Sequence, residues 1–290
     1  MKILTDSVSD VSQQDADKYN IHLFGFTIAV DGKVYQHKEV PNEEFYDIMD
    51  NAKSLPTTSQ IPEQEIYNAF EQYFNEGYLD LIYVTISSTG SNTLNNAAAA
   101  KQKFYAAYPD SELNIHIVDS LNYTVFYGYP VIEAAVKVQK GADSEEVLSY
   151  LNDWFEKSVL VGVPYTLEYA KRSGRLSGAA AFAGELLGLK PILRIVNGVC
   201  FASGKIRGEK NIIPKLADFI VEHMIPQTPY ALLCGSLRSE NEDFKKELVK
   251  RIGYPPETAV YAGPTVATHI GHKIIGIAFK EKSSYLRDKA

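Results

Sequence analysis

Residues 79 to 86 read Leu-Asp-Leu-Ile-Tyr-Val-Thr-Ile, an apolar, β-branched and aromatic run with a single early charge. Such a run has the pattern of a strand buried on both faces, and two-sided burial belongs to the interior of a parallel sheet. Parallel strands need a crossover, usually a helix, and an alanine-rich helical stretch from Asn92 to Ala107 follows at once. Between strand and helix stand Ser87, Ser88, Thr89, Ser91 and Thr93, with Gly90 to relax the backbone. A helix N-terminus leaves backbone N–H groups free, and one capping hydroxyl satisfies part of them. Five hydroxyls exceed what a cap needs, so the turn reads either as a generous cap or as a polar site at a helix start.

The same order recurs. Met1 to Leu4 runs into Thr5, Asp6, Ser7, Ser9 and Asp10 before a helix from Val11 to Tyr19, and the strand Asn114 to Val118 ends at Asp119-Ser120. Strands alternating with helices predict an α/β unit with a parallel sheet, whose ligand crevice lies at the carboxyl ends of the strands. A strand over Ile21 to Val30, an Asp31-Gly32 hairpin turn, and helices at 43–52, 63–76, 128–140 and 144–155 complete this half, with the loop "SLPTTSQIP" leading into the 63–76 helix. The second half differs: a strand at 160–163, a helix over 167–189 and an Asn197-Gly198 hairpin come first. A helix at 212–223, a strand at 230–234, a helix at 240–252 and a strand at 273–279 follow. The predicted architecture is an N-terminal three-layer α/β domain, residues 1–155, and a C-terminal α+β domain with a mixed sheet, residues 156–290, with a ligand in the cleft between or beside them.

Composition narrows the function classes. With 45% hydrophobic and 22% charged residues the 290-residue chain can bury a sizeable core. A formal net charge of −7 argues against nucleic acid or an anionic membrane as main partner. The start, "MKILTDSVSD", turns polar after four residues, and no stretch approaches ~18 uninterrupted apolar residues, so a soluble cytoplasmic protein is expected. Cys200 and Cys234 have no metal-ligand spacing and make no disulfide framework.

No nucleotide loop, dinucleotide fingerprint, zinc helix or nucleophile elbow occurs in the sequence. His269 and His272 are spaced like a possible metal pair, but no acidic or cysteine cluster adjoins them. Three polar clusters remain: Thr57-Thr58-Ser59-Gln60, the 87–93 turn, and "AGPTVATHIGHK" with His269. Hydroxyls with one imidazole and no acid partner suit a carboxylate head group, which they can bind by hydrogen bonds. "SGAAAFAGELLGLKPIL" supplies an apolar helix with small residues, read either as plain core or as the wall of a channel.

Seven short motifs in order carry a resemblance across almost the whole chain: "ILTDSVSD", "TTSQIP", "ISSTGSNTLNNA", "IVDS", "KRSGRLSGAAAFAGELLGLKPIL", "KIRGEKN" and "GPTVATHIG". Together they resemble the DegV family of bacterial fatty-acid-binding proteins. The resemblance implies a two-domain α/β fold holding one long-chain fatty acid, presented to a separate fatty acid kinase that supplies ATP. It implies no cofactor, no nucleic acid, no stable membrane insertion and no catalysis by this chain. Carried over by position, Thr58, Ser59, Ser87, Ser88 and His269 would bind the carboxylate. Arg175 and Arg207 would form a second shell or face the partner, and Ala180, Phe182, Ala183, Leu186 and Leu187 would line the acyl tail. The chain departs from the family pattern at Thr89, Gly90 and Asn92, at His272-Lys273, and in "LNYTVFYGYP" after Asp119-Ser120. Two further readings stand beside the carrier: a serine-dependent esterase or acyl hydrolase using Ser87 or Ser88 with His269, and a carrier of another apolar carboxylate or an isoprenoid lipid.

Overall fold

The structure, a computed structural model, describes residues 1–37, 39–174 and 188–282. Its first sheet is all parallel, in the order β2-β1-β6-β7, from β1 (Lys2–Asp6), β2 (Ile21–Phe24), β6 (Asp80–Thr85) and β7 (Asn114–Asp119). The Leu79–Ile86 run forms the interior strand β6, with Leu81, Ile82, Tyr83 and Val84 all buried, as two-sided burial requires. Around it pack α1 (Gln13–Lys18), α3 (Glu63–Asn75), α4 (Thr93–Ala107), α5 (Val125–Gln139) and α6 (Ser144–Lys157). A small antiparallel sheet, β4-β3-β5, joins β3 (Thr27–Val30), β4 (Lys33–Gln36) and β5 (Thr57–Ser59), with α2 (Asn42–Asn51) between the last two in sequence.

The second large sheet is mixed, in the order β10-β9-β8-β13-β11-β12. It comprises β8 (Ser158–Pro164), β9 (Leu189–Val196), β10 (Val199–Arg207), β11 (Tyr230–Cys234), β12 (Thr258–Tyr261) and β13 (Ile274–Lys280). Only β11 and β12 run parallel there. Helices α7 (Glu168–Ser173), α8 (Ile212–His223), α9 (Arg238–Ile252) and α10 (Pro264–Ile270) complete the described elements. The Asn197-Gly198 turn joins β9 to β10 as expected, both residues taking positive φ. Among the described residues no helix is long and apolar enough to cross a membrane.

Several elements differ from the sequence reading. The single strand expected over Ile21 to Val30 is two: β2 lies in the parallel sheet and β3 in the small one, so the chain changes sheet after Phe24. The loop before α3 contains β5, because Thr57, Thr58 and Ser59 pair with β3. The helix expected over 167–189 ends at Ser173, with Gly174 in the left-handed conformation, and Leu189 already begins β9. Residues 175–187, including Arg175, Ala180, Phe182, Ala183, Leu186 and Leu187, lie outside the described residues. Helix α5 starts at Val125, three residues before the expected Gly128, and both β12 and α10 had no counterpart in the sequence reading.

Gly128 shows why α5 can sit where it does. A Cβ there would stand 2.1 Å from the carbonyl oxygen of Ser9, a backbone atom in the short helical turn after β1. Only a glycine lets α5 close onto that turn. Gly128→Ala should gain about 1 kcal/mol of helix propensity yet lose more to the clash. The expected net cost is about 2 kcal/mol, read as a lower urea midpoint at unchanged m-value; an alanine variant at least as stable as the parent would refute this packing.

Candidate functional site

The carboxyl ends of β1 and β6 open onto a cavity of about 590 Å³, within the range of small-molecule sites. One side is apolar: Leu160 of β8, Leu193 and Ile195 of β9, Leu233 of β11 and Ile274 of β13 line it together with Val8 and Ile86, which follow the parallel strands β1 and β6. The mixed sheet therefore closes the crevice that the parallel sheet opens. The other side is polar, with Thr58, Gln60, Ser88, Thr89, Ser91 and His269 among its lining residues.

The 87–93 turn divides its hydroxyls by task. Ser91 Oγ accepts from Thr93 N at 3.2 Å and lies 2.9 Å from Thr93 Oγ1, serving the start of α4. Ser87 is fully buried, bonded to Thr89 Oγ1 at 2.8 Å, and does not line the cavity. Ser88 does line it, while its backbone N–H donates to the Asp119 carboxylate at 3.2 Å. Thr89 Oγ1 donates to the Gly198 carbonyl at 2.6 Å, seating the β9–β10 turn against the parallel sheet. Gly198 permits this approach: its φ is +78°, and a Cβ would fall 2.6 Å from Ser87 Oγ.

Thr58 and His269 come together across 211 residues of sequence, Thr58 Oγ1 standing 2.9 Å from His269 Nε2. Both line the cavity. Strand alternation puts Thr58 and Gln60 on the cavity side, and Ser59 is exposed and outside the lining. Helix α3 begins behind Pro62 with no side-chain cap bond, so neither Thr58 nor Ser59 is spent on capping it. Arg207 is exposed at the end of β10 and does not line the cavity. His272 parts company with His269: its Nε2 lies 2.9 Å from Asp50 Oδ1, its Nδ1 2.8 Å from Ser236 Oγ, and its ring stacks on Tyr46. Among the described residues no group of His, Cys, Asp or Glu side chains could hold a metal ion.

The sequence reading missed Thr265, Tyr123 and Thr124, all of which line the cavity. Thr265 carried a signal, standing four residues before His269 on what proves to be one helix, α10. Its Oγ1 is 2.8 Å from Nδ1 of the buried His37, whose Nε2 lies 3.6 Å from Asp10 Oδ1. Asp10 Oδ1 also accepts from Gly263 N at 3.1 Å. A Cβ on Gly263 would reach within 2.3 Å of His37 Nε2, so glycine makes room for the pair. Burial pushes the Asp10 carboxyl well above its ordinary range and the His37 imidazole down to about 3. His37 and Asp10 also border a second cavity of about 400 Å³, so this buried pair stands between the two cavities.

Cavity, polar wall and topology together describe a member of a known family of two-domain α/β proteins. The DegV family model matches residues 1–282. A DegV domain-containing protein of Clostridium perfringens is 32% identical over 98% of this chain and 99% of its own length. Among solved structures, a DegV family protein of Thermus thermophilus described by its fatty acid binding is 26% identical, covering 96% of this chain and 99% of its own, with a TM-score of 0.82. DegV of Bacillus subtilis, a fatty acid binding protein, is also 26% identical, covers 97% and 99%, and superposes with a TM-score of 0.81. The chain belongs to the DegV family.

His37 gives this site a pH signature. Its folded value, about 3, lies below the ordinary 6.5, so the unfolded chain binds more protons between those limits. Stability conferred by the neutral imidazole is complete above pH 6.5 and is lost as pH falls toward 3, at up to about 1.4 kcal/mol per pH unit. His37→Gln should flatten the fall in urea midpoint between pH 6.5 and 4.5, and an undiminished slope would show that this imidazole is not held neutral.

Proposed function

We propose that this protein binds a long-chain fatty acid, tail buried and carboxylate hydrogen-bonded, and presents it to a fatty acid kinase. The observation that carries the reading is a cavity apolar along its strands and hydroxylic at one wall, in a chain whose solved relatives from Bacillus subtilis and Thermus thermophilus are described as binding fatty acids. Burying ~14 methylenes at about 0.8 kcal/mol each offers on the order of 11 kcal/mol before association costs. Charge-assisted hydrogen bonds to the carboxylate add about 1.5–3 kcal/mol each, less desolvation. The tail supplies affinity and the polar wall supplies orientation.

In this reading Thr58, Ser88 and His269 hold the head group, Ser59 and Ser87 support their loops, and Arg175 and Arg207 serve the partner-facing rim. Ala180, Phe182, Ala183, Leu186 and Leu187 take the acyl tail. The N-terminal domain, residues 1–155, supplies the hydroxyl turns, and the C-terminal domain, residues 156–290, supplies the imidazole and most of the apolar wall. The esterase alternative requires His269 to activate Ser87 or Ser88, whereas its Nε2 is engaged by Thr58 and Ser87 is engaged by Thr89.

Native mass spectrometry followed by denaturing extraction should release one C14–C18 acid per chain. Thr58→Ala and Ser88→Ala should each weaken palmitate binding by about ten-fold with the fold intact. The chain alone should leave ATP and p-nitrophenyl esters unhydrolysed, and a fatty acid kinase with ATP should convert the bound acid to acyl phosphate. Ester turnover abolished by Ser88→Ala would replace the carrier by a hydrolase, and extraction of a different lipid would replace the ligand.

A further inference from the structure

Thr124 is an anomaly in the wall of the larger cavity. It follows β7 and caps α5, with φ 56° and ψ −143°. That region is open to glycine and disfavoured for a β-branched residue, so the conformation persists only because its surroundings impose it. Three backbone bonds do so: Thr124 N donates to Val8 O at 3.0 Å, and its carbonyl accepts from Tyr127 N at 3.1 Å and Gly128 N at 3.0 Å. Leu121, three residues earlier, also takes positive φ, at 52°. The segment is anchored on both sides, since Ser87 N donates to Asn122 O at 3.1 Å and Asn122 Nδ2 to Ile195 O at 3.4 Å.

The side chain is as unusual as the backbone. Thr124 is 1% exposed and lines the cavity, yet its Oγ1 has no hydrogen-bond partner among the described residues. Helix N-caps commonly use such a hydroxyl to accept from the first turn, and here no cap bond is made. The fold thus bears a strained backbone and a buried unpaired hydroxyl at one residue, and an acceptor on a ligand would offset the cost of the second. A residue selected for stability alone would be glycine, which suits the φ, or an apolar side chain, which leaves nothing unpaired.

We propose that Thr124 is a ligand-binding residue whose hydroxyl donates a hydrogen bond to an oxygen of the bound lipid. The inference rests on the lipid-carrier reading and adds to it a donor from the β7–α5 connection, separate from the Thr58, Ser88 and His269 wall. Two sources could offer that oxygen: the carboxylate, or a hydroxyl or keto group along the chain.

The test pairs affinity with stability. Thr124→Val keeps shape and branching and removes only the hydroxyl; Thr124→Ser keeps the hydroxyl; Thr124→Gly relieves the backbone. Kd values for palmitate and 12-hydroxystearate are measured beside the melting temperature of each ligand-free protein. Thr124→Val should bind about ten-fold more weakly without melting lower, Thr124→Ser should bind within two-fold of the parent, and Thr124→Gly should melt higher while binding weakly. Loss for both acids assigns the carboxylate, and loss confined to 12-hydroxystearate assigns a chain oxygen. Binding of both acids by Thr124→Val within two-fold of the parent overturns the proposal while leaving the carrier reading intact. A parent protein that binds neither acid sinks the carrier reading first, and melting of Thr124→Gly at or below the parent removes the strain argument independently of any lipid.

Discussion

The carboxylate of Asp6 holds the site's parts in register. It sits at the end of β1, fully buried, and accepts from Ile86 N at 2.8 Å, Tyr127 Oη at 2.7 Å and Val8 N at 3.1 Å. Those donors belong to three separate pieces: the end of β6, helix α5 and the turn after β1. Burial raises the Asp6 carboxyl to about 6 against the pull of the three donors, so the network is held at a cost. Val8 and Ile86 both line the larger cavity. An apolar residue in place of Asp6 would leave backbone donors unpaired in the core, the expensive way to lose a hydrogen bond.

From that anchor the cavity follows by simple geometry. Parallel strands release their chains at one edge, and the turns after β1, β6 and β7 gather there with their N–H groups and hydroxyls. The mixed sheet supplies the apolar cover, and the contact from Thr89 to Gly198 pins its β9–β10 turn against the 87–93 turn. Polar groups are satisfied mainly by one another: Ser87 with Thr89, Ser91 with Thr93, Thr58 with His269. Thr124 Oγ1 departs from this economy.

Local signals carried much of the architecture. The Leu79–Ile86 run specified a doubly buried strand, Asn197-Gly198 a hairpin, and the stretches 212–223 and 230–234 coincide with α8 and β11. Less was legible where tertiary contact decides. Ile21 to Val30 has strand character throughout, and only pairing with β1 on one side and β5 on the other splits it between sheets. Thr57 to Ser59 become a strand because β3 offers an edge. Tyr123 and Thr124 stood in the sequence as a departure from the family pattern, since nothing local marks a residue forced to positive φ.

The sequence by itself determined the fold class, the family and the polar turns that face the crevice, because strand periodicity, turn chemistry and ordered motifs are properties of adjacent residues. Only the tertiary structure decided which hydroxyls reach the cavity. Thr58 meets His269 across 211 residues, Thr265 is held by His37 across 228, and Ser87 turns inward while Ser88 faces the space beside it. Those outcomes depend on how two sheets close over one another, a long-range packing choice that no short window of sequence contains.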